Sequence, residues 1–313
     1  MAARPFAVVP RCVAALAVVV VAAAVVVVVL APVPPWPVTC ADGGAAEAAI
    51  LGVRHINEHH KHGFKFRLQE IVSSDYRQVP GGCDVVLSVK LVQTDCHVTN
   101  PKAHDRCDVF RQDERGAGAT CTVELSVTSG VAAVTRHQCA TRPDPSNEEM
   151  SWICPSCPGL LPLDDPTGAV AAQEAVIKFN RESKRRHYFT LLEMAHLTIE
   201  YIPSSGTMTL LKLALVETTC PREATHTFAP CTPLCPDRAN HFFCSTSYYN
   251  LQEVLGELVC ELYLPKNSTR LPAGEPEPSC GPLFHRSPEA SACKAQLSDP
   301  DPSVHHICPF PLK

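Results

Sequence analysis

Apolar residues recur at spacings of three and four between 45 and 62, at Ala46, Ala49, Ile50, Val53 and Ile56. That period predicts an amphipathic helix with one buried stripe. Gly63 follows where a left-handed C-cap is expected. From 64 to 72, Phe64-Lys65-Phe66-Arg67-Leu68-Gln69-Glu70-Ile71-Val72 alternates with a period of two, as a half-buried strand does. Residues 84–95 alternate again, with Val85, Leu87, Val89 and Leu91 on one face. Gln78-Val79-Pro80-Gly81-Gly82 supplies the turn between them. Shorter strands fit 107–112, 120–128 and 131–139, with Gly116, Gly118 and Ser129-Gly130 as turn residues. The pattern is one helix followed by an antiparallel meander.

The second half repeats it. A helix from Ala171 to Asn180 aligns with Ala48 to Asn57 at an offset of 123 positions, matching Val53 with Val176 and Asn57 with Asn180. The next strands match as well: Phe66 with Phe189, Leu68 with Leu191, Glu70 with Glu193. Leu91-Val92-Gln93-Thr94-Asp95-Cys96 returns as Leu215-Val216-Glu217-Thr218-Thr219-Cys220. Cysteines keep step: Cys96 and Cys107 are eleven apart, as are Cys220 and Cys231, and Cys121/Cys139 corresponds to Cys244/Cys260. Helices alone could coincide by chance, but cysteine pairs in step argue for a tandem duplication.

Composition sets the compartment. The chain has 313 residues, room for two domains, and a net charge of −5. Without a long basic run, nucleic acid is not an evident partner. Cysteines number 17. Cys12 lies in an apolar run from 12 to 31, and setting it aside leaves an even number, as a secreted disulfide framework has. Arg4 and Arg11 precede that run, so residues 1–39 are expected to be a secretion signal with a Pro-rich stretch. The run is also long enough for a signal-anchor. Stable membrane association is expected only if this segment is retained. Aromatics make up only 6% of the chain, so the cores should lean on disulfides. After Leu264 the chain turns Pro-rich, and Asn267-Ser268-Thr269 is its N-glycosylation acceptor sequence.

Between the copies lies Cys154-Pro155-Ser156-Cys157-Pro158. C-x-x-C spacing serves redox dithiols and zinc half-sites. Here two prolines restrict the backbone, and a bridged Cys154–Cys157 ring would be a rigid exposed loop. Such a loop fits a partner's cleft with little ordering cost. His55, His59 and His62 fall at i, i+4 and i+7 on the polar side of the first helix, a weak candidate metal set. Gln78 to Gly82 partly resembles the Q-x-V-x-G hairpin of cysteine-protease inhibitors, but Pro80 replaces the central valine. Lys184-Arg185-Arg186 is a basic loop. No H-E-x-x-H, G-x-S-x-G or phosphate loop appears. Nothing points to an enzyme, and no cofactor is implied.

A helix followed by antiparallel strands, duplicated, with two cysteine pairs per copy, resembles the cystatin fold. The tandem form joined by Cys154-Pro155-Ser156-Cys157-Pro158, with Thr94-Asp95-Cys96-His97-Val98 and Leu161-Pro162-Leu163-Asp164-Asp165, resembles the fetuin family, closer to fetuin-B than to fetuin-A. The resemblance implies an α+β fold of two tandem cystatin-like domains, each one helix packed on an antiparallel sheet, stapled by disulfides. The expected organisation is 1–39 signal, 40–150 first domain, 151–166 linker loop, 167–264 second domain and 265–313 tail. It implies bridges Cys40–Cys308, Cys96–Cys107, Cys121–Cys139, Cys154–Cys157, Cys220–Cys231 and Cys244–Cys260. Cys83, Cys235, Cys280 and Cys293 stay unassigned.

Function divides along the family. Fetuin-B-like members inhibit astacin-type zinc metalloproteases through the linker loop; fetuin-A-like members carry calcium phosphate on an acidic strand face. The outward positions of 84–95 are Asp84, Val86, Ser88, Lys90, Val92 and Thr94, which is no carboxylate array. The expectation is therefore a secreted inhibitor whose partner is an extracellular astacin-type metalloprotease. A fetuin-A-type mineral or metal-ion carrier and a cystatin-like cysteine-protease inhibitor are the alternatives. One departure falls at the centre: in the fetuin-B type an aspartate precedes the second cysteine, able to ligate the catalytic zinc, and here that position is Ser156. A neutral hydroxyl is a much poorer zinc ligand than a carboxylate.

Overall fold

A computed structural model describes residues 38–278, apart from 41, 143, 223–230, 270, 273, 276 and 277. The expected signal segment, and Cys280, Cys293 and Cys308, lie outside the described residues.

The first half is a helix on a four-stranded antiparallel sheet. Helix α1 spans Ala45–His59, and strands β1 (Phe64–Val79), β2 (Gly82–His97), β3 (Gly118–Thr128) and β4 (Val131–Arg142) pair in that order. Val85, Leu87, Val89 and Leu91 are fully buried, the face that alternation predicts. They pack with Ala48, Ala49, Val53 and Ile56 of α1 and Val123 and Leu125 of β3. Gly52 lets the helix come close: a Cβ there would stand 3.0 Å from Val123 Cγ1. The helix stops three residues short of the expected end, and Gly63 takes its left-handed φ of +67° in the turn into β1 instead.

The second half rebuilds the layer. Helix α3 (Pro166–Glu182) covers a sheet of β5 (Gly159–Leu160), β6 (His187–Ile202), β7 (Gly206–Pro221), β8 (His241–Tyr249) and β10 (Val259–Tyr263), with the short β9 (Val254–Leu255) paired to β8. Asp165 caps α3, accepting from Thr167 and Gly168 N–H at 2.9 and 3.1 Å, and Pro166 begins it. The duplication extends to hydrogen bonds. Asn57 Nδ2 donates to Val53 O and Phe66 O and its Oδ1 accepts from Phe66 N–H, at 2.9, 2.8 and 2.8 Å. Asn180 does the same to Val176 and Phe189 at 2.9, 2.8 and 2.8 Å. Each asparagine ties its helix to the following strand through backbone groups that would otherwise be buried unpaired.

Five expected bridges are present: Cys96–Cys107, Cys121–Cys139, Cys154–Cys157, Cys220–Cys231 and Cys244–Cys260. The sixth needs correction: Cys40 is joined to Cys83, not to Cys308. Cys83 shares the inward face of β2 with Val85 and is fully buried. Val38 enters the same core, and Gln78 Nε2 donates to Cys40 O at 3.1 Å, so the incoming segment lies against the β1–β2 hairpin. The two Cα atoms are 5.7 Å apart, inside the range a disulfide needs. Cys235 is also disulfide-bonded. The strand expected at 107–112 is only an isolated bridge, Thr94 to Val109, in a segment bounded by 3-10 turns at His104–Arg106 and Gln112–Glu114.

The two halves meet at an aromatic seam. Phe64 lies edge-on to Phe110 at 4.8 Å and to Phe243 at 5.7 Å, with Ala195 in the same cluster. Beside it Glu193 accepts from Gly63 N–H at 2.7 Å, from His62 Nδ1 at 3.2 Å and from His97 Nε2 at 2.5 Å. His97 Nδ1 meanwhile accepts from Thr99 N–H at 3.2 Å, leaving Nε2 to donate. Burial works against the Glu193 carboxylate, but the hydrogen bonds from His62 and His97 outweigh it and hold the group far below the usual carboxylate range.

Candidate functional site

The linker loop stands on a short helix that the sequence reading missed. Helix α2 (Asn147–Ile153) starts at a capping box: Ser146 Oγ accepts from Glu149 N–H at 3.2 Å and Glu149 Oε2 from Ser146 N–H at 2.9 Å. The S-x-x-E spacing was a legible signal for it. Met150 is its one buried side chain, and Cys154 N–H closes its end on Met150 O at 2.7 Å. The helix therefore precedes Cys154. A thiol-redox motif gains its reactivity from a helix N-terminus at the first cysteine, and that arrangement is absent here.

Cys154 and Cys157 are bridged, with Cα atoms 5.4 Å apart, and Cys157 N–H donates to Cys154 O at 3.0 Å. The ring is thus closed twice, and Pro155 and Ser156 are exposed at its tip. Two large apolar side chains lead into it: Trp152 is 85% exposed and Ile153 56%.

The base of the loop is fixed by Arg115, whose side chain is only 1% exposed. Its guanidinium reaches the Asp144 carboxylate and Pro145 O, donates to Asn147 Oδ1 at 3.2 Å and approaches Pro158 O at 3.4 Å. One first-domain side chain thereby holds both ends of the linker. Burial pushes the Asp144 carboxyl above its ordinary range, against the pull of Arg115. Asn147 adds a second clamp, donating to Leu160 O at 2.9 Å and accepting from Leu160 N–H at 2.8 Å. No sequence pattern marked Arg115 or Asn147.

The register then aims the loop. Gly159 pairs with Ile199 and Leu160 with Thr198, antiparallel. Continued backward, the same register runs Pro158 and Cys157 towards Glu200 and Tyr201. The loop and the β6–β7 hairpin turn thus leave the sheet at the same end. That turn closes with Ser205 N–H on Ile202 O at 3.1 Å and Gly206 at φ +79°. Tyr201 is 71% exposed, and Leu251, beside Gly206, is 77% exposed.

The other candidates scatter. His55 and His59 sit together on α1, but His62 turns to Glu193 at the seam and does not join them. The Gln78–Gly82 hairpin is tied to the incoming segment by Gln78 and by Cys83. Asn267 is exposed. Among the described residues no helix is long and apolar enough to cross a membrane.

No protein-family profile matches the chain. It is 30% identical over 191 residues to antihemorrhagic factor cHLP-B of Gloydius brevicauda, covering 60% of this chain and 54% of the relative. It is 28% identical over 225 residues to alpha-2-HS-glycoprotein of Oryctolagus cuniculus, covering 72% and 61%. The chain thus spans between half and two thirds of the length of these relatives. Among solved structures, mouse fetuin-B matches with TM-score 0.57 at 21% identity, over 74% of this chain and 71% of that one. The mouse fetuin-B chain in an inhibitory complex with human meprin beta matches with TM-score 0.57 at 21% identity, over 90% and 95%. None of the aligned chains is named as an enzyme.

Two helix-on-sheet layers repeated in one chain, each with its two cross-linked cysteine pairs, define a tandem cystatin-like protein. A bridged Cys-Pro-x-Cys-Pro linker joins the layers, and in sequence the chain is similar to antihemorrhagic factor cHLP-B and alpha-2-HS-glycoprotein, and in fold to mouse fetuin-B.

Proposed function

We propose that the protein is a secreted, glycosylated inhibitor of astacin-type zinc metalloproteases, with Cys154-Pro155-Ser156-Cys157-Pro158 as the part that enters the active cleft. The observation that carries this reading is the exposed, disulfide-closed tip at Pro155 and Ser156, fixed at its base by the buried Arg115. A preformed wedge loses little conformational entropy on binding. Trp152 and Ile153 on one side and Tyr201 and Leu251 at the hairpin end supply apolar surface to flank it. Mouse fetuin-B, which shares the fold, is described in complex with crayfish astacin and with human meprin beta.

Ser156 changes the contact expected at the metal. Its hydroxyl hydrogen-bonds or displaces the zinc-bound water, and the flanking surfaces provide most of the affinity. Mineral binding is the less favoured reading. Three acids of the first sheet are already in ion pairs, Asp84 with Arg77 at 2.6 Å, Glu70 with Lys90 at 2.9 Å and Glu124 with Arg136 at 3.7 Å, and the exposed Asp75 and Asp95 lie on different strands and form no array. The test is inhibition of a purified astacin-type protease by the wild-type chain, a Ser156→Asp variant and a Cys154→Ala/Cys157→Ala variant. Calcium phosphate precipitation runs in parallel. Inhibition by wild type, loss in the double cysteine variant and a gain of tenfold or more in Ser156→Asp are expected. If neither wild type nor Ser156→Asp inhibits, the reading fails for that enzyme.

A further inference from the structure

We propose a second, independent site: His55, His59 and His137 form a surface three-imidazole centre for one late first-row divalent ion, zinc or copper. His55 and His59 are one helical turn apart on α1, and His137 reaches them from β4. Their ring centroids lie 4.1 Å (55 to 59), 5.2 Å (55 to 137) and 5.9 Å (59 to 137) apart. Three imidazoles bound at ~2.0–2.1 Å to one tetrahedral ion would place their centroids about 5 Å from each other. The observed separations bracket that value. The ring nitrogens are not yet gathered about one point, and gathering them is a matter of side-chain torsions.

Two further features fit a ligand role. His59 Nδ1 lies 2.8 Å from the His55 carbonyl oxygen, and as donor it leaves the Nε2 lone pair available to a metal ion. A backbone carbonyl on the far nitrogen is the usual support of a metal-bound histidine. The rings are also kept ready for metal. Partial burial, and then the neighbouring imidazoles, hold His55 below its ordinary value, and burial with His59 does the same for His137. Neutral imidazole is the form that binds metal. Three ligands leave the fourth position of a tetrahedral ion open to water.

A β-bulge assembles the set. Between Glu124 and Leu125 of β3 the partner in β4 jumps from Arg136 to Val134, skipping Thr135. Ala132 and Val134 point inward before the jump, and His137 and Cys139 after it. Without the extra residue His137 would face away from α1.

The decisive experiment is calorimetric titration of untagged full-length protein with Zn2+ at pH 7.4, with thermal melts of every variant. The same variants are then loaded with Cu2+ and examined by electron paramagnetic resonance for nitrogen couplings. One site of micromolar affinity is expected in wild type. His137→Ala should weaken it tenfold or more with an unchanged melt and remove one nitrogen from the copper spectrum. His305 and His306 form a second histidine pair, outside the described residues, and a His305→Ala/His306→Ala control should bind as wild type does. The proposal is overturned if His137→Ala and His55→Ala/His59→Ala both bind as tightly as wild type, or if wild type shows no site at micromolar zinc. It is also overturned if the His305/His306 control accounts for the binding.

Discussion

Glu70 and Glu193 occupy matching places in the two repeats, yet their surroundings predict opposite responses to the same substitution. Glu193 has a side chain only 13% exposed and takes hydrogen bonds from Gly63, His62 and His97 across the seam. Hydrogen bonds to a buried charge are worth ~1.5–3 kcal/mol each, and stranding buried charged or polar partners costs ~3–5 kcal/mol in all. Glu193→Ala should therefore lose about 3–5 kcal/mol. Glu193→Gln keeps an oxygen for Gly63 and His97 but turns an amide to His62, and should lose about 1–2 kcal/mol. Glu70 meets Lys90 in solvent, the two side chains 55% and 45% exposed, so Glu70→Gln should cost under about 0.5 kcal/mol.

Urea unfolding with disulfides intact measures all three. The pH dependence adds a second readout. The Glu193 carboxyl titrates lower folded than unfolded, so its contribution is whole above the unfolded value of ~4.3 and drains away as pH falls below it. The hydrogen bond to Glu193 raises His62 against the effect of burial. Its contribution is whole below ~6.5 and is lost as pH rises through the higher folded value. Both slopes should flatten in Glu193→Gln. If Glu193→Ala and Glu70→Gln fall within 0.5 kcal/mol of each other, the carboxylate does not hold the seam and the reasoning is refuted.

The duplicated asparagines give a matched pair: Asn57→Ala and Asn180→Ala should each cost about 2–3 kcal/mol, since each strands the N–H and C=O of a buried phenylalanine. A large inequality between them in urea unfolding would contradict the equivalence. For the corrected bridge, non-reducing peptide mapping should recover Cys40 with Cys83. Closing a loop with a sequence separation of 43 should stabilise by about 4 kcal/mol on the chain-entropy account, so Cys40→Ser/Cys83→Ser should melt well below wild type. Recovery of Cys40 with Cys308 would reject the assignment.

What the sequence determined by itself was local or repeated. Alternation at Val85, Leu87, Val89 and Leu91 placed one sheet face in the core, because a strand puts every second side chain on the same side. Cysteines in step, eleven apart in both copies, pointed to the duplication, and the pairs observed follow that step. Periodicity did not reveal α2, whose local signal is the capping box at Ser146 and Glu149, and α3 begins at Pro166, five residues before the helix expected from Ala171. What remained hidden depends on surfaces distant in the chain.

Only the tertiary structure decided that Glu193 is partly buried at the seam while Glu70 meets solvent, because each repeat presents a different face to the other. Only packing brought Cys40 to Cys83, through Val38 entering the first core. Arg115 became the support of the linker because the chain returns beside it at Asp144, Asn147 and Pro158. His137, rather than His62, joined His55 and His59 because one extra residue in β4 reversed the side of the sheet it faces. Periodicity assigns residues to a face; a bulge, a seam or a long-range bridge changes what that face meets, and none of these has a signature within one strand.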